Sequence, residues 1–387
     1  MTKPVNTMPA STPAAALADF KQYAMAHPRL QGMHEQVAQA IREPGGVSLL
    51  FIVGPTGVGK TTLIARLMRQ LTCEQQAELE QERERLAVAG MEAEAPPLGN
   101  YDFKQHFKRS LQALGEILIE QRVDVHRPKR ETPPSAGLIV NSTTTSAVLR
   151  GALESALKRR RPAAFFIDEA HHLSKVTAMR KFQDHLDVIK SLANVTETLH
   201  VLVGTYELQS LLNLSDQLSR RSLTFHFERY HSGQAADVTV FQNILWNFQT
   251  RLPFPQPPDL RAHSEYLMER SLGCVGILKG WLLRATALAL EARAATLTLR
   301  HLEQQAPTNA EWRSMATALL EGEEALRDAN VEVESLRLRL QAEPATKTDQ
   351  PRQRQSAAVA PTAKSRRSRQ ARRPGERYPA RDPVGKA

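Results

Sequence analysis

The chain is short of cysteine, of aromatic residues and of long apolar runs, and each shortage removes a class of protein. Cys73 and Cys274 are its only cysteines in 387 residues, too few for a disulfide framework or a four-thiolate zinc site. His171-His172 is the one adjacent histidine pair, and no HExxH spacing accompanies it, so no side-chain cluster holding a metal on its own is expected. No segment approaches the roughly 18–20 apolar residues that span a bilayer, and the Ala/Pro/Thr-rich start has no apolar signal region. The expectation is a cytoplasmic protein with no membrane partner. Aromatics are 5% but hydrophobic residues are 41%, so an aliphatic core can fill one large domain or two smaller ones.

Positive charge is plentiful but uneven. The net charge is +10, of which residues 344–387 carry a surplus of nine, leaving one for the other 343 residues. Lys364, Arg366, Arg367, Arg369, Arg372 and Arg373 stand among Ser, Ala, Gln and Pro. Such a segment has too little apolar surface to offset its ordering entropy. It reads as a disordered basic tail that either contacts a polyanion or solubilises the chain.

Residues 1–15 are expected to be disordered, followed by two helices over Ala16–Ile41 broken at His27-Pro28. After the Gly45-Gly46 turn, the run from Val47 to Val53 reads as a buried parallel strand. A helix follows from Leu63, extended outward by the polar Cys73–Glu84, and Leu86–Gly90 is a weak second strand. Phe103, Phe107, Leu111, Leu114 and Leu118 have helical spacing over Phe103–Arg122, and a Pro-rich charged loop covers Val123–Ser135. A helix between Ser142 and Arg160 leads into the strand Ala163–Asp168. Then come a helix over Ala178–Asn194, a strand His200–Gly204 and a strand Leu223–Phe227. This alternation predicts an α/β fold, a three-layer core with a mainly parallel sheet. From Tyr230 onward the pattern is helical only: Asp237–Arg251, Asp259–Ser271 and Val275–Ala294. The expected division is a disordered stretch 1–15, an α/β core with N-terminal helices 16–232, a small all-α lid 233–305, a charged helical extension 306–343 and the tail 344–387.

Gly54-Pro55-Thr56-Gly57-Val58-Gly59-Lys60-Thr61 fits the phosphate-loop pattern in full, between a buried strand and a helix. Its glycines let main-chain N–H groups approach phosphate oxygens, and the following helix offers its positive end to the same anion. Lys60 is expected on the β- and γ-phosphates of ATP, Thr61 on Mg²⁺, and Thr62 beside it. Phe165-Phe166-Ile167-Asp168-Glu169 supplies the second half. Asp168, at the C-terminal end of a strand, is expected in the Mg²⁺ shell, and Glu169 as the general base for water. His171 and His172 complete a run resembling one helicase motif, but that reading needs a second RecA-like domain and the C-terminal half reads as helical instead, so both are given no chemistry. Thr205, directly after its strand, is a candidate to sense the γ-phosphate or be a simple turn residue. Arg220 and Arg221 are candidates to reach a neighbouring subunit's ATP or form a solvated turn. Lys279 is a weaker candidate sensor from the lid.

The order of phosphate loop, Asp-Glu strand, Thr-ended strand, arginine pair and helical lid resembles the AAA+ class of P-loop NTPases. The segments Gly54–Thr62, Phe103–Arg109, Asp168–His172, Ile189–Asn194, Val203–Leu208, Gln217–Ser222 and Ser271–Lys279 resemble the TnsC/TniB family, AAA+ regulators of DNA transposition. The resemblance runs from about Gln31 to Leu302. It implies an ATPase, with DNA-stimulated turnover, that assembles on double-stranded DNA as a ring or filament, hexameric or heptameric. It also implies recruitment of a DDE transposase, a TniQ-like target-selection partner, and disassembly on hydrolysis. The chain departs from the simplest members in its length after Leu302 and in its basic arm. By analogy with related DNA binders, Lys104, Lys108 and Arg109, at i, i+4 and i+5, are candidate phosphate contacts, or else solvated helix charge. Two other functions share this core: a replication initiator or loader, and a signalling or secretion-linked ATPase.

Overall fold

The computed structural model describes residues 13–96, 100–116, 145–175, 179–208 and 221–341. The Val123–Ser135 loop, Arg220 and the basic tail lie outside them. The chain divides into a unit Met1–Ser335 and a C-terminal unit from Leu336; the sheet and the helices packed on it belong to the first.

Five parallel strands form one sheet in the order β2-β3-β4-β1-β5. They are β1 (Leu49–Val53), β2 (Val88–Glu92), β3 (Ala164–Asp168), β4 (Leu199–Gly204) and β5 (Ser222–His226). Alternation along the strands builds two cores. Leu49, Phe51, Val53, Phe165, Ile167 and Leu202 face α5 (Phe103–Ala113), α6 (Ser146–Arg160) and α7 (Met179–Thr196). Leu50, Ile52, Phe166, Val201 and Val203 face α2 (Pro28–Arg42) and α3 (Lys60–Glu74). Period-two side chains with apolar residues on both faces are what a sheet sandwiched between helices requires.

Short local signals set the helix ends. Pro28 starts α2 at a position whose N–H has no helical partner to lose, while the His27 ring accepts from Leu30 N. α1 (Pro13–Gln22) begins earlier than the sequence predicts, taking residues 13–15 into a helix. Its Phe20 explains the stability of so short an element: it is buried, 5.9 Å edge-on from Phe248. The outward helix expected through Glu84 breaks at Gln75 into α3 and the short α4 (Gln76–Gln81).

After β5 come α8 (Ala235–Gln249), α9 (Ser264–Arg270), α10 (Val275–Glu291) and α11 (Leu299–Gln304). Phe241, Ile244, Phe248, Leu278 and Trp281 make a third core, with Trp281 Nε1 donating to Leu302 O at 2.8 Å. The last helix, α12 (Asn309–Gln341), lies where a charged helical extension was expected, and part of it is packed. Ala316, Leu319 and Glu323 are buried against the rest of the first unit. Among the described residues no single helix is long and apolar enough to cross a membrane.

Three buried histidines give the fold an acid sensitivity. His27 shares a hydrogen bond with Tyr230 Oη, His106 with Tyr101 Oη, and His200 donates to Thr198 O. Burial pushes their imidazoles down to about 4, about 3 and about 4. The unfolded chain takes up these protons near pH 6.5 and the folded chain does not. Stability is therefore complete above the unfolded value and falls as pH drops from about 6.5 toward 4, at up to about 1.4 kcal/mol per pH unit for each ring. The thermal midpoint by circular dichroism should be flat from pH 8 to 7 and fall by several degrees by pH 5. A level profile would show that these rings protonate without cost.

Candidate active site

The C-terminal ends of β1, β3 and β4 bring the motif residues to one edge of the sheet, where parallel α/β sheets bind ligands. Gly54 leaves β1 with its N–H on Gly204 O at 3.3 Å, and its missing side chain allows the Phe227 carbonyl to lie where a Cβ would sit. Gly57 and Gly59 take φ of 77° and 117°, a left-handed region that costs L-residues energy and glycine none. The loop therefore folds back and enters α3 at Lys60.

Lys60 is only 7% exposed. Its Nζ donates to Gly54 O and Pro55 O, both at 2.9 Å. Burial lowers the ammonium's pKa, against the pull of Glu169 and Asp168. Thr61 Oγ1 donates to Asp168 Oδ2 at 2.9 Å, so the two oxygens expected on Mg²⁺ are adjacent. Both are hard donors suited to Mg²⁺, and two are too few to hold it alone, which fits an ion carried in with phosphates. Glu169 has φ of 51°, and its N–H caps Asp168 Oδ1 at 2.9 Å. Burial and then the Asp168 charge raise the Glu169 carboxyl above the usual glutamate value. Thr205 Oγ1, at the end of β4, is buried with no hydrogen-bond partner. A buried hydroxyl left unpaired is costly, and a ligand phosphate or its attacking water fits that need.

Other candidates lie elsewhere. Arg221 stands at the start of β5, where its carbonyl accepts from Ser48 N and Leu49 N. About 16 Å of strand, at roughly 3.3 Å per residue, separates it from the edge where Val53 pairs with His226. It cannot reach its own subunit's loop. Lys279 is not brought to the loop either: its Nζ donates to Lys21 O, at the end of α1, at 2.7 Å. The α10 residues that do meet the loop are Gly276, whose N–H donates to Gly57 O at 2.7 Å, and Ile277, packed on Gly57. Lys104, Lys108 and Arg109 share α5, but Arg109 is ion-paired with Glu94, which offsets its pull on a phosphate.

Residues 43–212 match the family model described as an AAA domain. Together with the strand order and the loop between β1 and α3, this decides the architecture. The fold is that of an AAA+ P-loop ATPase. Among solved structures, the AAA+ chain here is similar to the Aeropyrum pernix ORC1 protein in complex with DNA, with a TM-score of 0.52, 19% identity, and coverage of 75% of this chain and 67% of that one. The Aeropyrum pernix ORC2 protein aligns with a TM-score of 0.48 at 14% identity, covering 74% and 70%. Domain III of the Thermotoga maritima replication initiation protein DnaA aligns at 0.41 and 15%, covering 74% and 94%. No curated protein matches the chain. AAA+ domains imply nucleotide binding with Mg²⁺ and hydrolysis in general.

Sequence reasoning passed over three residues at this AAA+ site. His171 Nδ1 lies 3.1 Å from Glu169 Oε2, though without the alignment of a hydrogen bond. Tyr206 reaches from the end of β4 to His226 Nε2 at 3.0 Å. Gly276 required knowledge of how α10 meets the loop, and its only local signal was a glycine inside an apolar helical run.

Proposed function

We propose that this chain is an ATP-hydrolysing regulator of DNA transposition of the TnsC/TniB kind, whose hydrolytic site is completed by a second copy of itself. The carrying observation is the separation within one subunit: Lys60, Thr61, Asp168, Glu169 and Thr205 converge at one edge of the sheet while Arg221 emerges at the other. In a head-to-tail assembly one copy's arginine, Arg221 or its neighbour Arg220, meets the next copy's edge, and such a heterologous contact generates rings or filaments.

Bound ATP with Mg²⁺ supplies the phosphoanhydride and part of the neutralisation of its own charge. The protein's share follows from position. Gly54 to Lys60 hold the phosphates by main-chain N–H groups and one buried ammonium. Thr61 and Asp168 offer the ion two oxygens. Glu169 accepts a proton from water at a carboxylate whose affinity for it is raised. The Thr205 hydroxyl orients that water or the terminal phosphate. Double-stranded DNA as a partner draws support from the resemblance of the motif segments, from the surplus positive charge of residues 344–387, and from the DNA carried by the ORC1 protein of similar fold. Lys104, Lys108 and Arg109 are the candidate contacts. A DDE transposase and a TniQ-like selector are the partners that the family resemblance supplies.

A replication initiator or loader is the second reading, since such an ATPase shares this core and the ORC1 protein of similar fold is in complex with DNA. The two part at the assembly. With ATP and plasmid DNA, negative-stain microscopy should find continuous filaments or stacked rings along the duplex, and duplex should raise the ATPase rate several-fold. Discrete complexes at one origin-like site would favour the initiator. A monomer indifferent to duplex at saturating ATP and Mg²⁺ would overturn both.

A further inference from the structure

The open side of the nucleotide cleft is covered by this chain's own α12. The helix starts with Thr308 and Glu311 capping one another and is pinned to α9 twice: Trp312 Nε1 donates to Glu269 O at 3.0 Å, and Arg270 Nη1 donates to Asn309 Oδ1 at 2.9 Å. Over the next three turns it crosses the catalytic edge. Glu323, 6% exposed, accepts from Arg229 Nε and Nη2 at 2.8 and 3.1 Å, a bidentate pairing of the strong kind.

Gly322, one residue earlier, lies against the Tyr206 ring so closely that a Cβ there would overlap it. Glycine is disfavoured inside a helix, so its presence in the middle of a helix from Asn309 to Gln341 has this contact as its reason. Between helix and loop lies a cavity of ≈ 590 Å³, bounded by Thr56, Thr205 and Ile277 on one side and Met315, Ala318 and Glu321 on the other.

We propose that α12 is a cover over the catalytic edge that must lift before a second copy of this chain can dock there. The inference rests on the site shared between copies proposed above. Three features make the contact releasable rather than a fixed part of the core. Beyond the two anchors to α9 at its start, its polar contact is one ion pair, Arg229–Glu323. Its closest packing needs no side chain at 322. The cavity beneath it leaves the helix touching the loop side only in part. Glu321 also places a carboxylate on the cavity beside the phosphate loop, so phosphate charge favours the lifted position. A protein whose docking-competent form is a minor fraction assembles with an affinity reduced by that fraction.

The test uses the full chain with Gly322→Gln, which wedges the helix away from Tyr206, and separately Glu323→Gln, which removes the ion pair. Nucleotide binding, followed with a fluorescent ATP analogue, and the thermal midpoint confirm that each variant is folded. Mass photometry with ATP and Mg²⁺ should then find assembly at about tenfold lower protein concentration than wild type, as expected for a cover closed about nine-tenths of the time.

Hydrogen exchange supplies the second readout. Amides of residues 312–323 in wild type should exchange faster in the assembled state than in the monomer, because a helix released from its packing is marginal in water. Variants that bind nucleotide and assemble no more readily than wild type, with exchange at 312–323 unchanged on assembly, would make α12 a static part of the domain and leave the shared site standing. Wild type and both variants remaining monomeric while binding nucleotide would sink the shared site and the cover with it. A variant that does not fold leaves the decision to the other variant and to the wild-type exchange measurement.

Discussion

Lys60→Ala should cost the protein about 100-fold or more in ATP affinity. A hydrogen bond to a charged group contributes about 1.5–3 kcal/mol, and a lysine in this position serves the β- and γ-phosphates together, so about 3–6 kcal/mol is at stake, or roughly two to four powers of ten. The side chain is nearly solvent-free and sits inside the loop, donating to the Gly54 and Pro55 carbonyls, so water cannot take over its charge. The substitution also takes one donor from each carbonyl, leaving Pro55 O with only the Val58 N–H at 3.4 Å, and a modest fall in the thermal midpoint is expected alongside. Calorimetric titration with ATP and Mg²⁺ decides the matter. Affinity retained within a few-fold would refute the phosphate-loop assignment.

Glu169→Gln should separate binding from turnover. The amide keeps the shape but cannot accept a proton, and general-base catalysis is worth about 10²–10⁴-fold. Single-turnover phosphate release should fall by about that factor while ATP affinity stays within a few-fold, and assemblies on duplex should persist long after wild type has disassembled. The wild-type rate carries a second signature. Because burial and Asp168 raise the Glu169 carboxyl, kcat/KM should decline as pH drops through a value above 4.5, and the glutamine variant should lack that limb. Hydrolysis at the normal rate by the variant would remove Glu169 from the reaction.

How much of this was legible beforehand follows from how local each feature is. The loop Gly54–Thr61, β1 and β3 were legible because their signals lie within a dozen residues: an apolar run, fixed glycines, an acidic strand end. β2 was faint because its Val-Ala-Gly-Met-Glu has only one buried side chain, and its place beside β3 is a tertiary fact. The start of α1 at Pro13 was misread because its helix is held by Phe20 against α8, more than two hundred residues away. Lys279 was read from its motif position, yet helix phase turns it toward Lys21 while Gly276 and Ile277 face the loop. The ion pair of Arg109, offered as a phosphate contact or solvated helix charge, was not legible because Glu94 is fifteen residues earlier, outside its helix.

The helix α12 was expected, but its packing on the domain escaped for a related reason. Its composition is that of a solvated helix, and its buried members, Ala316, Leu319 and Glu323, are too few to make an apolar stripe. Gly322 was the readable clue, since an isolated glycine in a helical run asks for a packing explanation.

The hydrogen bond from Gly276 to Gly57 joins main chain to main chain, with no side chain at either residue to bend and absorb displacement. A tilt of α10 would therefore pass to the phosphate cradle through this bond, and a distortion of the cradle would pass back. On the proposed ATPase reading, release of spent nucleotide and a tilt of α10 would then be coupled, and a neighbour that grips α10 would sense the chemistry.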